Sequence, residues 1–186
     1  MRNGSDRQGR NGRSEAAGGA GRLRVLVVAP SFDILGGQAV HAARLLERLR
    51  EEPSLEVSFL PINPPLPGPL KKVQNVRYVR SVRTTLLYWA SLLRRVRWYD
   101  VIHIYSASYL SFVLSPTPAL LAAKLFGKKS VLNYHSGQAE DHLRRWGRTA
   151  IPTMRRADRI IVPSDYLVEV FARFGLRAHA VFNHIE

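Results

Sequence analysis

The sequence contains no cysteine. That excludes thiolate metal sites and disulfide-built secreted domains. Acidic residues are scarce, with 14 Asp and Glu against 28 Lys and Arg, a net charge of +14. Such a balance favours anionic partners, namely phosphates, acidic lipid headgroups or nucleic acid. A merely solvated basic surface gives the same count. No apolar h-region of signal-peptide type follows the polar, glycine-rich start, so no signal peptide is visible. The most hydrophobic window, residues 109–126, is interrupted by Pro116, Pro118 and Lys124. It falls short of the ~20 apolar residues that a membrane span needs. Three chemical signatures are also missing: G-x-G-x-x-G, the P-loop G-K-[ST], and H-E-x-x-H. Nicotinamide dehydrogenases, P-loop enzymes and zinc proteases of that type are thereby disfavoured.

What is present is an alternation. Residues 1–22 hold Gly, Arg, Ser and Asn with almost nothing to bury, which predicts a disordered basic tail. Residues 23–186 read as one folded domain, or one lobe of a larger protein. Short apolar runs at 24–29, 55–62, 101–105, 130–134, 159–162 and 178–182 predict six strands. Helical patterns at 38–50, 118–126, 141–156 and 165–174, with a further segment inside 71–97, separate them. This order predicts an α/β fold with a doubly wound, mainly parallel sheet. Ligands of such sheets bind beyond the carboxyl ends of the strands. The candidate site is therefore a set of loops at 31–37, 106–109, 135–140, 164–165 and 183–186.

Residues 71–97 carry eight Lys or Arg and no acid. Val82, Leu86, Trp89, Leu93 and Val96 recur at 4-3-4-3 spacing, one apolar helical face. Arg80, Arg83, Arg94 and Arg97 lie roughly 110° away, at 100° per residue. Two readings stay open: a helix lying at a membrane surface, or a core-facing helix with a solvated basic flank.

Two places could carry chemistry. Gly36-Gly37 immediately precedes a helix, where close backbone approach and free N–H groups suit a phosphate. A tight turn with no further role is the bland alternative. His135 closes the fourth strand, between Asn133 and Ser136-Gly137. From there it can hydrogen-bond a sugar hydroxyl or a phosphate, or act as acid or base. His103 falls inside a strand and reads as packing. His41 and His142 fall on helices, and no histidine spacing suits a metal. No nucleic-acid module or array of stacking aromatics is present, although Tyr88, Trp89 and Trp98 sit among arginines.

Four segments occur in one order: VLVVAPSFDILGG at 25–37 with its following helix, VLNYHSG at 131–137, ADRIIVPSDYL at 157–167 and VFNHIE at 181–186. Together they resemble the N-terminal domain of GT-B-fold glycosyltransferases of the family-4 type, across nearly all of residues 23–186. The resemblance implies a Rossmann-like lobe and retaining transfer of a sugar from a nucleotide-sugar donor to an acceptor. It implies that Gly36 and Gly37 approach the donor diphosphate and that His135 contacts the transferred sugar. Ser136, Arg155 and Arg156 become acceptor-side candidates. The donor is a substrate, and neither cofactor nor metal is expected. His184 stands where the family usually has the Gly of an Asn-Gly turn. The family's basic pair and acidic motif belong to a second lobe and are not assigned here. A complementary C-terminal lobe is thus the expected partner, without which no turnover is expected. The expected location is the cytoplasm, with the inner face of an anionic membrane as an attachment surface. The alternative reading is a non-catalytic Rossmann-like module that binds a partner protein or such a membrane.

Overall fold

The computed structural model describes residues 21–32, 37–64 and 77–182. The tail at 1–20, Gly36 and residues 183–186 lie outside these. Six strands form one sheet: β1 (Leu23–Ala29), β2 (Leu55–Pro61), β3 (Val101–Ser106), β4 (Lys129–Tyr134), β5 (Arg159–Val162) and β6 (His179–Ala180). Their order is β2-β1-β3-β4-β5-β6, and every neighbouring pair is parallel. The helices are α1 (Gly37–Glu51), α2 (Arg77–Val96), α3 (Tyr109–Leu114), α4 (Pro116–Leu125), α5 (Ala139–Met154) and α6 (Asp165–Arg173). The fold is a Rossmann-like α/β domain, as the alternation predicts.

Reversal of strand order at β1 sets the layers. The step from β1 to β2 goes one way across the sheet, and every later crossover goes the other way. With right-handed crossovers, α1 must lie on one face and α2 to α6 on the other. Two hydrophobic clusters follow that division. Leu26, Val28, Ile102, Ile104, Leu132 and Tyr134 pack under α2 to α6, while Val25, Val27, Ala29 and Tyr105 pack with Ala42 and Leu46 of α1. Alternate residues of each strand thus serve opposite layers.

Local signals explain the boundaries. Pro116 opens α4 at its first helical position, where its missing N–H costs nothing. The run at 109–126 therefore holds two helices rather than the single one read at 118–126. Ser164 caps α6 by accepting the Leu167 N–H at 3.4 Å, and Gly175, at φ 68°, ends it. Of the two open readings of α2, the one that turns the stripe to the core does not hold. The face of α2 turned to the core is Tyr88, Leu92 and Val96. Of the 4-3-4-3 stripe only Val96 belongs to it, and Val82, Leu86, Trp89 and Leu93 are exposed. The Tyr88 hydroxyl reaches Ser115 O at 3.0 Å, so a polar tip accompanies the buried ring and hides it from an apolar count.

Candidate functional site

The carboxyl ends of β1, β3 and β4 meet the start of α1. Parallel pairing sets Tyr105 opposite Asn133 and Ser106 opposite Tyr134. The chain then leaves β4 at His135, whose N–H donates to Ser106 O at 3.1 Å. Gln38, in the first turn of α1, closes the arrangement. Its amide nitrogen donates to His135 O at 2.7 Å and to Ser106 O at 3.3 Å. One side chain thereby ties the helix that follows Gly37 to the ends of two strands.

His135 lies on the α1 side of the sheet. Its ring stands 5.5 Å from the Tyr105 ring and 5.5 Å from the His41 ring, centroid to centroid. Below it, His103 Nε2 meets Asn133 Nδ2 at 3.2 Å. Together these residues line an open cleft of about 740 Å³, whose rim is supplied by α1, Ile161, Val181 and Phe182. His103 is buried, as a packing residue would be, yet it also forms part of the cleft wall. Burial pushes the imidazoles of both His103 and His135 down from 6.5 to about 4. A smaller contribution comes from repulsion, by His135 on His103 and by His41 on His135. Both rings are neutral near pH 7 and can offer a hydrogen bond but not a charge.

Ser136 belongs to a second, buried chain of hydroxyls. Ser108 Oγ donates to Ser136 Oγ at 2.7 Å and lies 2.8 Å from the Tyr134 hydroxyl. That hydroxyl meets His142 Nδ1 at 2.9 Å. Ser136 Oγ also accepts the Gln138 N–H at 3.2 Å. The loop after β4 is therefore fixed from both sides. Next to it, Tyr109 adopts φ 56°, a left-handed conformation costing about 1–2 kcal/mol for a non-glycine residue. Its hydroxyl donates to Asp141, which also holds Arg145 at 2.8 Å.

The sequence-predicted residues divide. Gly37, His135 and Ser136 gather at this edge. Gly36 falls outside the described residues, as do 183–186. Arg155 and Arg156 follow the last turn of α5, just before β5 begins, so they sit at the amino end of the sheet and do not join His135. Arg156 donates to Pro152 O at 2.8 Å, and Arg155 lines a separate small pocket with Arg159 and Arg177. Gln38, His41 and Tyr105 were not singled out by sequence. Gln38 and His41 share one helical face three residues apart, a signal that acquires meaning only once α1 is placed beside β3 and β4. Among the described residues no group of three or more His, Cys, Asp or Glu could hold a metal ion, and no helix is long and apolar enough to cross a membrane.

Comparison with solved structures gives the fold. The MnaA–UDP co-structure from S. aureus matches with a TM-score of 0.52 at 11% identity, covering 82% of this chain and 41% of that one. A protein from Listeria monocytogenes assigned as a UDP-N-acetylglucosamine 2-epimerase matches with a TM-score of 0.51 at 13% identity, covering 83% and 42%. The chain thus spans less than half the length of these neighbours. No curated protein matches the sequence. The model of Glycosyltransferase Family 4 matches residues 35–185, a stretch that begins just before Gly36-Gly37 and takes in α1, the whole cleft wall and every later strand. This chain belongs to glycosyltransferase family 4.

Proposed function

We propose that this domain forms one wall of a site for retaining transfer of a sugar from a nucleotide-sugar donor to an acceptor, with His135 contacting the transferred sugar. One observation carries the proposal. His135 stands at the carboxyl end of β4, facing the cleft, with its backbone clamped by Gln38 to the helix that follows Gly37. A neutral imidazole suits a sugar hydroxyl, where it can donate or accept a hydrogen bond, better than it suits a phosphate. The diphosphate fits the start of α1, where backbone N–H groups lack helical partners and the helix dipole favours negative charge. That a similar fold holds UDP in the MnaA co-structure supports a nucleotide diphosphate as the leaving part of the donor. Ser136 is fixed by its hydroxyl chain and orients the loop on the acceptor side. Arg155 and Arg156 serve an acceptor only if it extends to the opposite end of the sheet.

A second lobe facing this edge would supply the remaining diphosphate and ribose contacts. Each charge-assisted hydrogen bond lost without it is worth about 1.5–3 kcal/mol, and about 1.4 kcal/mol is tenfold in affinity. Turnover by the 186-residue chain alone is therefore not expected. The test is a transfer assay with UDP-sugars on a two-lobe form, comparing wild type with His135→Ala. Loss of a sugar hydrogen bond should lower the rate about 10- to 100-fold. A wild-type rate in the variant would remove His135 from the site, and absence of transfer in the wild-type two-lobe form would leave the non-catalytic reading standing.

A further inference from the structure

We infer that the outer flank of α2 is a docking surface for an anionic lipid bilayer. Sequence periodicity left open whether the apolar stripe of this helix faces the core, and the structure turns it outward. Val82, Leu86, Trp89 and Leu93 are 59%, 55%, 37% and 48% exposed, whereas the core contact is made by Tyr88, Leu92 and Val96. A helix that covers a sheet needs one apolar face; α2 has two, and among the described residues only one is covered. The second is tied to its neighbours at one point. The Trp89 indole N–H donates to Leu114 O at 2.9 Å, joining the stripe to the junction of α3 and α4. Those helices add exposed apolar side chains of their own, with Leu110 60% and Leu121 46% exposed.

Charge selects the occupant. The sequence of α2 holds five arginines and no acid. Arg94 lies on the exposed side beside the stripe, and Arg97 follows directly, its guanidinium 5.3 Å from the centre of the Trp98 ring. Trp98 is itself 60% exposed. A protein–protein contact has a core depleted of charge. Here an apolar stripe runs beside cations of a single sign and ends in an exposed tryptophan. That combination suits a helix lying in the headgroup layer, with leucines at the acyl boundary, tryptophan at the interface and arginines on the lipid phosphates. Because α2 begins at the carboxyl edge of the sheet and runs along the layer opposite α1, docking there leaves the cleft of His135 uncovered.

The experiment is vesicle flotation of the full chain with phosphatidylcholine alone and with phosphatidylcholine mixed with phosphatidylglycerol. Binding is expected to the mixed vesicles and at least about tenfold less to the neutral ones. Leu86→Glu with Leu93→Glu changes two exposed positions, so folding should persist by circular dichroism, while binding to the mixed vesicles should fall at least about tenfold. Arg94→Glu with Arg97→Glu should remove the preference for the anionic lipid. The same charge reversal at Arg50 and Arg177, away from α2, should leave it. The inference is overturned by absence of binding to either vesicle or by equal binding to both. Undiminished binding of the double leucine variant overturns it too, by showing charge alone at work. So does a concentration-dependent dimer that the leucine changes abolish, which would make a second copy the occupant.

Discussion

Strand β4 presents two different surfaces. On one side Leu132 and Tyr134 are fully buried beneath the α2 to α6 layer. On the other, Val131 and Asn133, with His135 just beyond, face the side where α1 is the single covering helix among those described. The covered side is filled by apolar atoms; the Tyr88 and Tyr134 hydroxyls are paired there, while buried Ser115 Oγ and His142 Nε2 have no partner among the described residues. The other side keeps polar rings at the wall of an open cleft. The difference teaches which part of the strand is occupied with stability and which is free for a ligand, since a closed core leaves no room for a sugar and an open face adds little packing energy.

Substitution of neighbouring residues sharpens this contrast most. Leu132→Ala removes a fully buried side chain and should cost about 2–5 kcal/mol. Val131→Ala, one residue away on the open face and half-buried, should cost about 1 kcal/mol or less. Urea denaturation of both variants measures the difference, and equal costs would mean that the open face is packed after all. Acid should act next. Burial holds His103, His135 and His142 down to about 4, against 6.5 for a free histidine. Between those values the unfolded chain binds more protons than the native one. Each histidine thus contributes stability that is complete above about pH 6.5, declines as the pH falls, and is gone below about pH 4. A denaturation midpoint constant from pH 7 to pH 4 would mean that the three rings are not buried as described.

The comparison extends to the two ends of the strand. At its amino end Asp158 accepts the Ser130 N–H at 2.9 Å and the Lys129 ammonium at 2.8 Å, and these contacts hold the Asp158 carboxyl below its ordinary value against the opposing effect of burial. Asp158→Ala leaves the N–H of buried Ser130 without that partner and should cost about 1–3 kcal/mol. Transfer by the folded fraction of a two-lobe form carrying this change should be unchanged. A fall in specific rate would make the amino end part of the site.

Much of this was legible in residue order. Six apolar runs gave six strands because a parallel strand covered on both faces is continuously apolar, and β5 was read to the residue. What escaped had physical causes. The boundary between α3 and α4 rests on Ser115-Pro116, which a hydrophobic window averages away. The core face of α2 escaped because Tyr88 carries a hydroxyl and because a second, exposed stripe gave the stronger period. At the site, His135 was visible as a strand-end residue. Gln38, His41 and Tyr105 were not: Gln38 reaches it by side-chain hydrogen bonds across 68 and 97 residues, His41 and Tyr105 by ring contacts, and no local spacing encodes either. Arg155 and Arg156 were grouped with the acceptor side by their charge, whereas α5 carries them to the far end of the sheet.

The smallest expected effect is also the one in which stability and binding should move in opposite directions. Among the described residues a Cβ built on Gly37 meets no heavy atom within 4 Å. The protein itself therefore does not require glycine at the first residue of α1. Gly37→Ala should leave the fold unstrained and restrict the unfolded chain, raising stability by about 0.4–1 kcal/mol. If the backbone N–H groups at this helix start receive the donor diphosphate, the same methyl group stands where the phosphate must approach. Affinity of a two-lobe form for UDP should then fall, and Gly37→Val should lower it further. A variant both more stable and unimpaired in UDP binding would identify Gly37 as a turn residue and move the diphosphate away from α1. A variant less stable than wild type would instead show that the start of this helix lacks the space described.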